Sequence, residues 1–256
     1  MKKLLSDNQD ATLSEEVLKD MEHRNGFFID IGASDGISSS NSYFFSNKKS
    51  WKGISIECDD NKYLDLCKNQ PREEVIKLKE KVTSDNIIHI LQQNNTPKKI
   101  DFLSIDIDGY DYYILNEILD HYVCETIICE VNEKIPVPIK FSVSDNADHF
   151  WDTSHFYGMS LSKLEQLAEE KNYTITDYCF CNAVMMHNNY LPEGFEKQTI
   201  SSLYDNGYKN RKDLQPHWND DVKHWLHMNP DDALNDIKKY FDVISNRTKI
   251  GYTITL

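Results

Sequence analysis

The chain has 256 residues, 39% hydrophobic and 27% charged, with a formal net charge of -14 at pH 7. That length can bury one sizeable core, and the negative balance argues against a nucleic-acid partner, which needs a basic face. No apolar run approaches the ~20 residues that span a bilayer, and the apolar part of MKKLLSDNQDATLSEE is only Leu4-Leu5, short of the roughly 7 to 15 residues of a secretory signal, so a cytoplasmic location is expected.

In chain order, Leu13, Val17, Leu18 and Met21 carry helical spacing over Leu13–His23, with Ser14 placed to cap it. Phe27–Ile31 is a short apolar run entering a glycine turn, which predicts a strand. Ile54–Glu57 and Val75–Leu78 predict two more strands, and Ile87–Gln92 a helix. Ile100–Ile107 reads as a strongly apolar strand with acids at its end, Tyr113–Leu119 as a helix, and Thr126–Val131 as a buried strand. This alternation builds a mainly parallel sheet with helices on both faces. Leu161–Lys171 is an amphipathic helix. Tyr173–Tyr178 and Ala183–His187 predict an antiparallel hairpin at the sheet edge.

Two segments break the rhythm. Residues 132–153 form a long polar loop with Pro136 and Pro138, of the kind that serves as a lid or binding loop. From Glu196 the tail is aromatic and acidic, with helical character, and it ends in the strand-like YTITL. The expected division is a domain over 1–195 and a helical extension over 196–256 packed on it. The six cysteines, Cys58, Cys67, Cys124, Cys129, Cys179 and Cys181, show neither a CxxC pair nor a zinc grid, and reduced thiols are expected. Lys48, Lys49 and Lys52, and likewise Lys79 and Lys81, read as solvated faces.

The chemistry concentrates at predicted strand ends. In FIDIGASDG, Gly32 and Gly36 let the backbone pass close to a ligand, and Asp30 can accept hydrogen bonds from a bound amine. The spacing does not match the dinucleotide pattern GxGxxG. Glu57 ends the next strand about 20 residues on, the place from which a carboxylate holds the two hydroxyls of a ribose. Turn and carboxylate together point to an adenosyl ligand. In IDFLSIDIDGYDYYIL, Asp106, Asp108 and Asp111 crowd one strand end. Alternation along a persisting strand puts Asp106 and Asp108 on one side, where they repel unless a cation or a shared proton intervenes. Asp111 reads either as a member of this group or as a helix cap. Glu130 and Asn132 end the neighbouring strand, and with Asp106 they offer the hard oxygen donors that Mg²⁺ or Mn²⁺ prefers. A polar rim that binds substrate hydroxyls directly is the other reading. His155, in WDTSHFYG, is the loop histidine placed to act as a general base; His149 shares its segment. Tyr110, Tyr112, Tyr157 and Trp151 offer apolar walls against which a ligand ring can stack.

The segments FIDIGASDGISSSNSYFF, GISIECDD and IDFLSIDIDGYDYYIL resemble the FkbM-type family of S-adenosylmethionine (SAM)-dependent methyltransferases, over about residues 26–188. The resemblance implies a Rossmann-like class I methyltransferase fold and methylation of hydroxyls, often on sugars or nucleotide-linked sugars of capsules and lipopolysaccharides. By position, Asp30 with Gly32, Ala33, Ser34, Asp35 and Gly36 would cradle the methionine part of SAM, followed by Ser40 and Asn41. Glu57 would hold the ribose, Cys58 and Val82 would line the adenine, and Asp106 would lie near the amine and the transferred methyl. Asp106, Asp108 and His155 are the residues expected to serve catalysis. The family's fourth-strand block runs acid-x-Glu-Gly-x-Glu, whereas this chain has shorter acids at Asp108 and Asp111. The arrangement is also similar to that of metal-dependent sugar and catechol O-methyltransferases. The expected partner is a small-molecule acceptor, with a homo-oligomer left open. Methylation of another small hydroxylated or phosphorylated metabolite, and a non-catalytic SAM-binding interaction protein, are the alternatives.

Overall fold

The computed structural model describes Met21, residues 24–38 and residues 40–256. The helix expected over Leu13–His23 therefore lies outside the described residues, Met21 excepted.

Five strands run parallel: β1 (Gly26–Ile31), β2 (Trp51–Glu57), β3 (Val75–Lys79), β4 (Lys99–Ile105) and β5 (Val123–Glu130). The hairpin of β7 (Tyr173–Cys179) and β8 (Asn182–His187) adds antiparallel to β5, giving the order β3-β2-β1-β4-β5-β8-β7. The chain departs in opposite directions from the β1/β4 junction, and ligands bind in the crevice that such a reversal opens at the carboxyl ends of the strands. This seven-stranded, mostly parallel sheet with its edge hairpin is the α/β architecture expected.

Side-chain alternation assigns the two faces. Ile29, Leu103, Ile127 and Met185 point into the larger core, which covers α3 (Ile87–Gln93), α4 (Asp111–His121) and α5 (Leu161–Glu170). Phe28, Phe102, Ile128 and Val184 point to the other face, where Phe45 of the short helix α1 (Tyr43–Ser46) packs 4.3 Å from Trp51 and 4.5 Å from Phe102, ring centre to ring centre. Between β2 and β3 lies α2 (Asp60–Asn69), a helix with no counterpart among the expected elements. Only Leu66 of it is buried, and most of its residues are polar or charged, so it does not stand out as an apolar segment. Asp59 starts it by accepting from the Asn61 and Lys62 amides.

The segment expected as a loop over 132–153 contains β6 (Lys140–Val143), which pairs antiparallel with β9 (Tyr252–Thr255) at the far end of the chain. The tail runs through α6 (Ile200–Tyr204), several single turns, and α7 (Pro230–Thr248). Ala233, Ile237, Phe241 and Ile244 form the buried stripe of α7. The Phe241 ring meets Phe141 at 4.8 Å and Phe156 at 5.2 Å, so the tail shares one core with the sheet. Among the described residues, no helix is long and apolar enough to cross a membrane.

Because Phe241 sits in that shared core, Phe241→Ala should cost about 3 to 5 kcal/mol and lower the urea midpoint of the whole chain in a single transition. A separate early transition confined to the tail would show that the two parts do not share a core.

Candidate functional site

β1 ends at Ile31, and the chain turns at Gly32 with φ +83°. A Cβ at Gly32 would stand 1.8 Å from the Asp106 carbonyl oxygen, so only glycine fits. The Gly32 and Ala33 amides both donate to the Ile56 carbonyl at 3.0 Å. Glu57 then clamps two loops at once: Oε2 accepts from the Ser34 amide and Oε1 from the Asp59 amide, each at 2.8 Å. Above this frame opens a cavity of about 740 Å³, within the range of small-molecule and cofactor sites.

Of the residues expected to hold a cofactor, Asp30, Gly32, Ala33, Ser34, Ser40, Asn41, Glu57, Cys58, Val82 and Asp106 all line this cavity. Asp35 and Gly36 do not, which corrects their place in the cradle. The Asp35 carboxylate is taken up by the Ile37 and Ser38 amides and the Ser38 hydroxyl, and Gly36 is pressed against Leu66 and Gln70. They shape the turn from behind.

Asp30 is buried and accepts from the Ser42 hydroxyl at 2.5 Å. Burial, reinforced by the charge of Glu57, pushes its carboxyl up to about 6. Asn41 donates to the Ser104 hydroxyl at 3.3 Å, while its buried Oδ1 has no partner among the described residues. A carboxylate and a lone amide oxygen at the base of one cavity suit a ligand ammonium. Lys62, Lys81, His149 and Phe150 also line the cavity. None of these has a role expected from the sequence: Lys62 belongs to α2, which the sequence does not announce, and Lys81 reads as part of a solvated face.

β4 stops at Ile105 rather than continuing to Ile107. The Asp111 carboxylate accepts from the Ile107 and Gly109 amides at 2.9 and 3.0 Å, and Asp108 adopts φ +55°, so the chain curls at once. Strand alternation therefore does not place Asp106 and Asp108, and Asp111 is a structural acid inside the turn. Asp106 and Asp108 nevertheless converge with Glu130, one oxygen from each lying within 4.8 Å of the others. Burial and then the neighbouring acids push Asp106 up to about 8. The same causes raise Glu130 well above the carboxylate range, and burial raises Asp108. Asn132, expected beside these acids, has its buried Oδ1 without a partner among the described residues. Its Nδ2 donates to the His155 carbonyl at 2.8 Å and to the Tyr157 carbonyl at 3.1 Å, stapling the loop.

A smaller cavity of about 160 Å³ adjoins the first and shares Asp108 and Trp151 with it. His155 lines this second cavity rather than the first, with Nε2 3.0 Å from Asp221 Oδ1. His149 is the histidine of the larger cavity, and its buried Nε2 has no partner among the described residues. Burial lowers the pKa of both, which favours the neutral, proton-accepting form. Tyr110 lines the first cavity and Tyr157 the second, whereas Tyr112 packs under Lys163.

No family model matches the chain, and no curated protein matches it in sequence. Among solved structures it is similar to a putative O-methyltransferase from Klebsiella pneumoniae, at 12% identity and TM-score 0.46, covering 72% of this chain and 84% of that one. It is similar also to the N-terminal domain of EvdMO1 in the presence of S-adenosylhomocysteine (SAH) and D-fucose, at 9% identity and TM-score 0.43, covering 71% and 84%. A TehB-like SAM-dependent methyltransferase from Corynebacterium glutamicum has 11% identity and TM-score 0.40, covering 67% and 85%. Likeness at this level carries no weight for activity, and the fold rests on the strand order itself.

Two outcomes test the geometry. Gly32→Ala should destabilise the fold by more than ~2 kcal/mol, because a Cβ collides with backbone at a left-handed position; unchanged thermal unfolding would refute the close approach. Asp30 holds its proton in the folded chain up to about pH 6 and loses it in the unfolded chain near pH 4. Stability should thus fall as pH rises between those values, by on the order of 2 to 3 kcal/mol, and Asp30→Asn should flatten the fall. Urea unfolding across that pH range reads the slope.

Proposed function

We propose that the chain is a SAM-dependent O-methyltransferase acting on a hydroxyl of a sugar or nucleotide-linked sugar. The observation that carries this reading is the large cavity at the β1/β4 junction, which joins a glycine-only turn, a ribose-placed carboxylate at Glu57 and an ammonium-placed pair at Asp30 and Asn41. Those donors fit SAM: Asp30 and Asn41 would hold its ammonium, Glu57 its ribose hydroxyls, and Cys58, Val82 and Ile107 the adenine side. When bound, the cofactor supplies a methyl group already activated on a sulfonium.

What is left to the protein is to orient an acceptor oxygen and to remove its proton. His155 and His149 stand neutral on the two sides of Asp108 and Trp151 to take that proton. Asp106, Asp108 and Glu130 form a set of hard oxygen donors that fits Mg²⁺ or Mn²⁺. A divalent ion there would lower the pKa of a coordinated hydroxyl. Protonated, the same acids would instead donate hydrogen bonds to the acceptor. The direction of their pKa shifts suits either use.

SAH should raise the melting temperature by ~5 to 10 °C at a hundredfold excess over its Kd, and Glu57→Ala should weaken SAH at least about tenfold, the worth of a charge-assisted hydrogen bond. Affinity for SAH should also fall below about pH 6 as Asp30 gains its proton. No shift with SAH or SAM would sink the cofactor assignment. A SAM-dependent screen of nucleotide-linked sugars, read by mass for one added methyl with and without chelator, tests the acceptor class and the cation together.

A further inference from the structure

One side of the larger cavity is built from residues outside the turns that follow β1, β2 and β4. His149, Phe150 and Trp151 are consecutive, and all three line it. A local turn sets their place: the Asn146 side chain accepts from the Asp148 amide at 2.8 Å, and the Asn146 carbonyl from the His149 amide at 2.9 Å. The turn is tied down on both sides. Before it, the Ser144 amide donates to the Gly251 carbonyl at 2.8 Å and the Ser84 hydroxyl donates to Asp145 at 2.6 Å. After it, Arg247 holds Asp152 at 2.8 Å. Between these ties the His149 ring stands edge-on to Phe156, 5.9 Å between ring centres.

Two side chains of this segment lack a partner that a ligand would supply. His149 is 8% exposed, and its buried Nε2 has no partner among the described residues. A buried polar atom costs free energy until something hydrogen-bonds to it, and on the wall of a cavity that something is what fills the cavity. Phe150 lines the same cavity yet is 73% exposed, so its ring is covered only by what enters. A hydrogen-bonding edge beside a flat apolar face is the pair of contacts that a purine base takes, since a base carries both polar edges and a π-face.

The segment also faces the end of the cavity that β3 builds. Val82 and Ser84 follow β3, and Ser84 bonds to Asp145. The Tyr110 hydroxyl donates to the Val82 carbonyl at 2.8 Å, and a Cβ on its neighbour Gly109 would stand 3.7 Å from His149 Cδ2. Val82 and Cys58 are on the adenine side of the donor, whereas Asp30 and Asn41, placed for its ammonium, come from β1 and the stretch after it.

We infer that His149 and Phe150 belong to the donor site and recognise its adenine base, His149 by a hydrogen bond at Nε2 and Phe150 by its ring face. The inference rests on the SAM reading and deepens it. Of the two neutral histidines it commits His149 to the donor and leaves the acceptor's proton to His155.

Calorimetry on the full-length chain tests this with two probes, SAH and 5′-methylthioadenosine, which keeps the nucleoside and lacks the amino acid. His149→Phe keeps a ring against Phe156 but has no nitrogen. It should weaken both probes about fivefold, the worth of one hydrogen bond, while His149→Gln, which restores a polar group, retains most of the affinity. Phe150→Ala, at an exposed position, should weaken both about tenfold, the worth of one stacked base. Asp30→Asn should give the split expected at the amino-acid end, weakening SAH and leaving methylthioadenosine unchanged. If His149→Phe or Phe150→Ala leaves methylthioadenosine binding unchanged, the assignment to adenine is overturned, whether those side chains serve the amino-acid end or the base of a nucleotide-linked acceptor. A wild-type chain that binds neither probe overturns the SAM reading and this inference with it.

Discussion

The site depends on one close approach. β1 and β4 pair in parallel, and the pairing runs one residue past the strands, where the Asp106 amide donates to the Ile31 carbonyl at 3.0 Å. That last bond brings the Asp106 carbonyl to where a side chain on residue 32 would have to be. Glycine is the only residue without that side chain, and its left-handed φ sends the chain away from β4 and toward the Glu57 carboxylate. The switch in strand order, the turn that surrounds the cavity and the position of the first acid all follow from this contact.

The same approach has an electrostatic consequence. It sets Asp106 near Asp30 on one side and near Asp108 and Glu130 on the other, in a poorly hydrated crevice. Burial and then the neighbouring acids raise Asp106 and Glu130, and burial raises Asp108, while Lys62 offsets part of the rise at Asp106 and Asp108. The crevice therefore has acids that hold protons at neutral pH, and it gains stability from any cation that enters. A sulfonium and an ammonium are both cations, and so is a divalent metal. The electrostatics of the crevice thus favour the same class of ligand as the geometry of the turn.

The parts legible in the sequence were those fixed by local chemistry. β1, β2, β4 and β5 are nearly continuous apolar runs because both faces of the sheet are covered, and the acids at their ends stand out against that background. Three features resisted reading, each for a physical reason. α2 buries one side chain and is mostly polar or charged, which hid Lys62. β6 pairs with β9, more than a hundred residues later; Phe141 and Val143 do alternate with Lys140 and Ser142, but four residues are too short a run to stand out from the polar segment around them. Asn132 and the two histidines depended on how that loop folds back. Once the amide of Asn132 captures the His155 and Tyr157 carbonyls, His155 is turned into the smaller cavity and His149 is left at the larger one.

That fold-back also explains why the tail belongs to the site. The segment between β5 and α5 has too little regular structure to hold itself over the strand ends, since its one strand has four residues and a lone short strand is unstable in water. β9 completes its sheet, the stripe of α7 fills the space beneath Phe141 and Phe156, and Arg247 reaches Asp152 at 2.8 Å. The wall of the smaller cavity is therefore held in place by residues that follow the sheet in the chain. Changes in the tail can reshape that wall without disturbing Gly32, Glu57 or Asp30, which hang on the β1–β4 contact instead. The two cavities are thereby walled by different parts of one chain, joined at Asp108 and Trp151 where they meet.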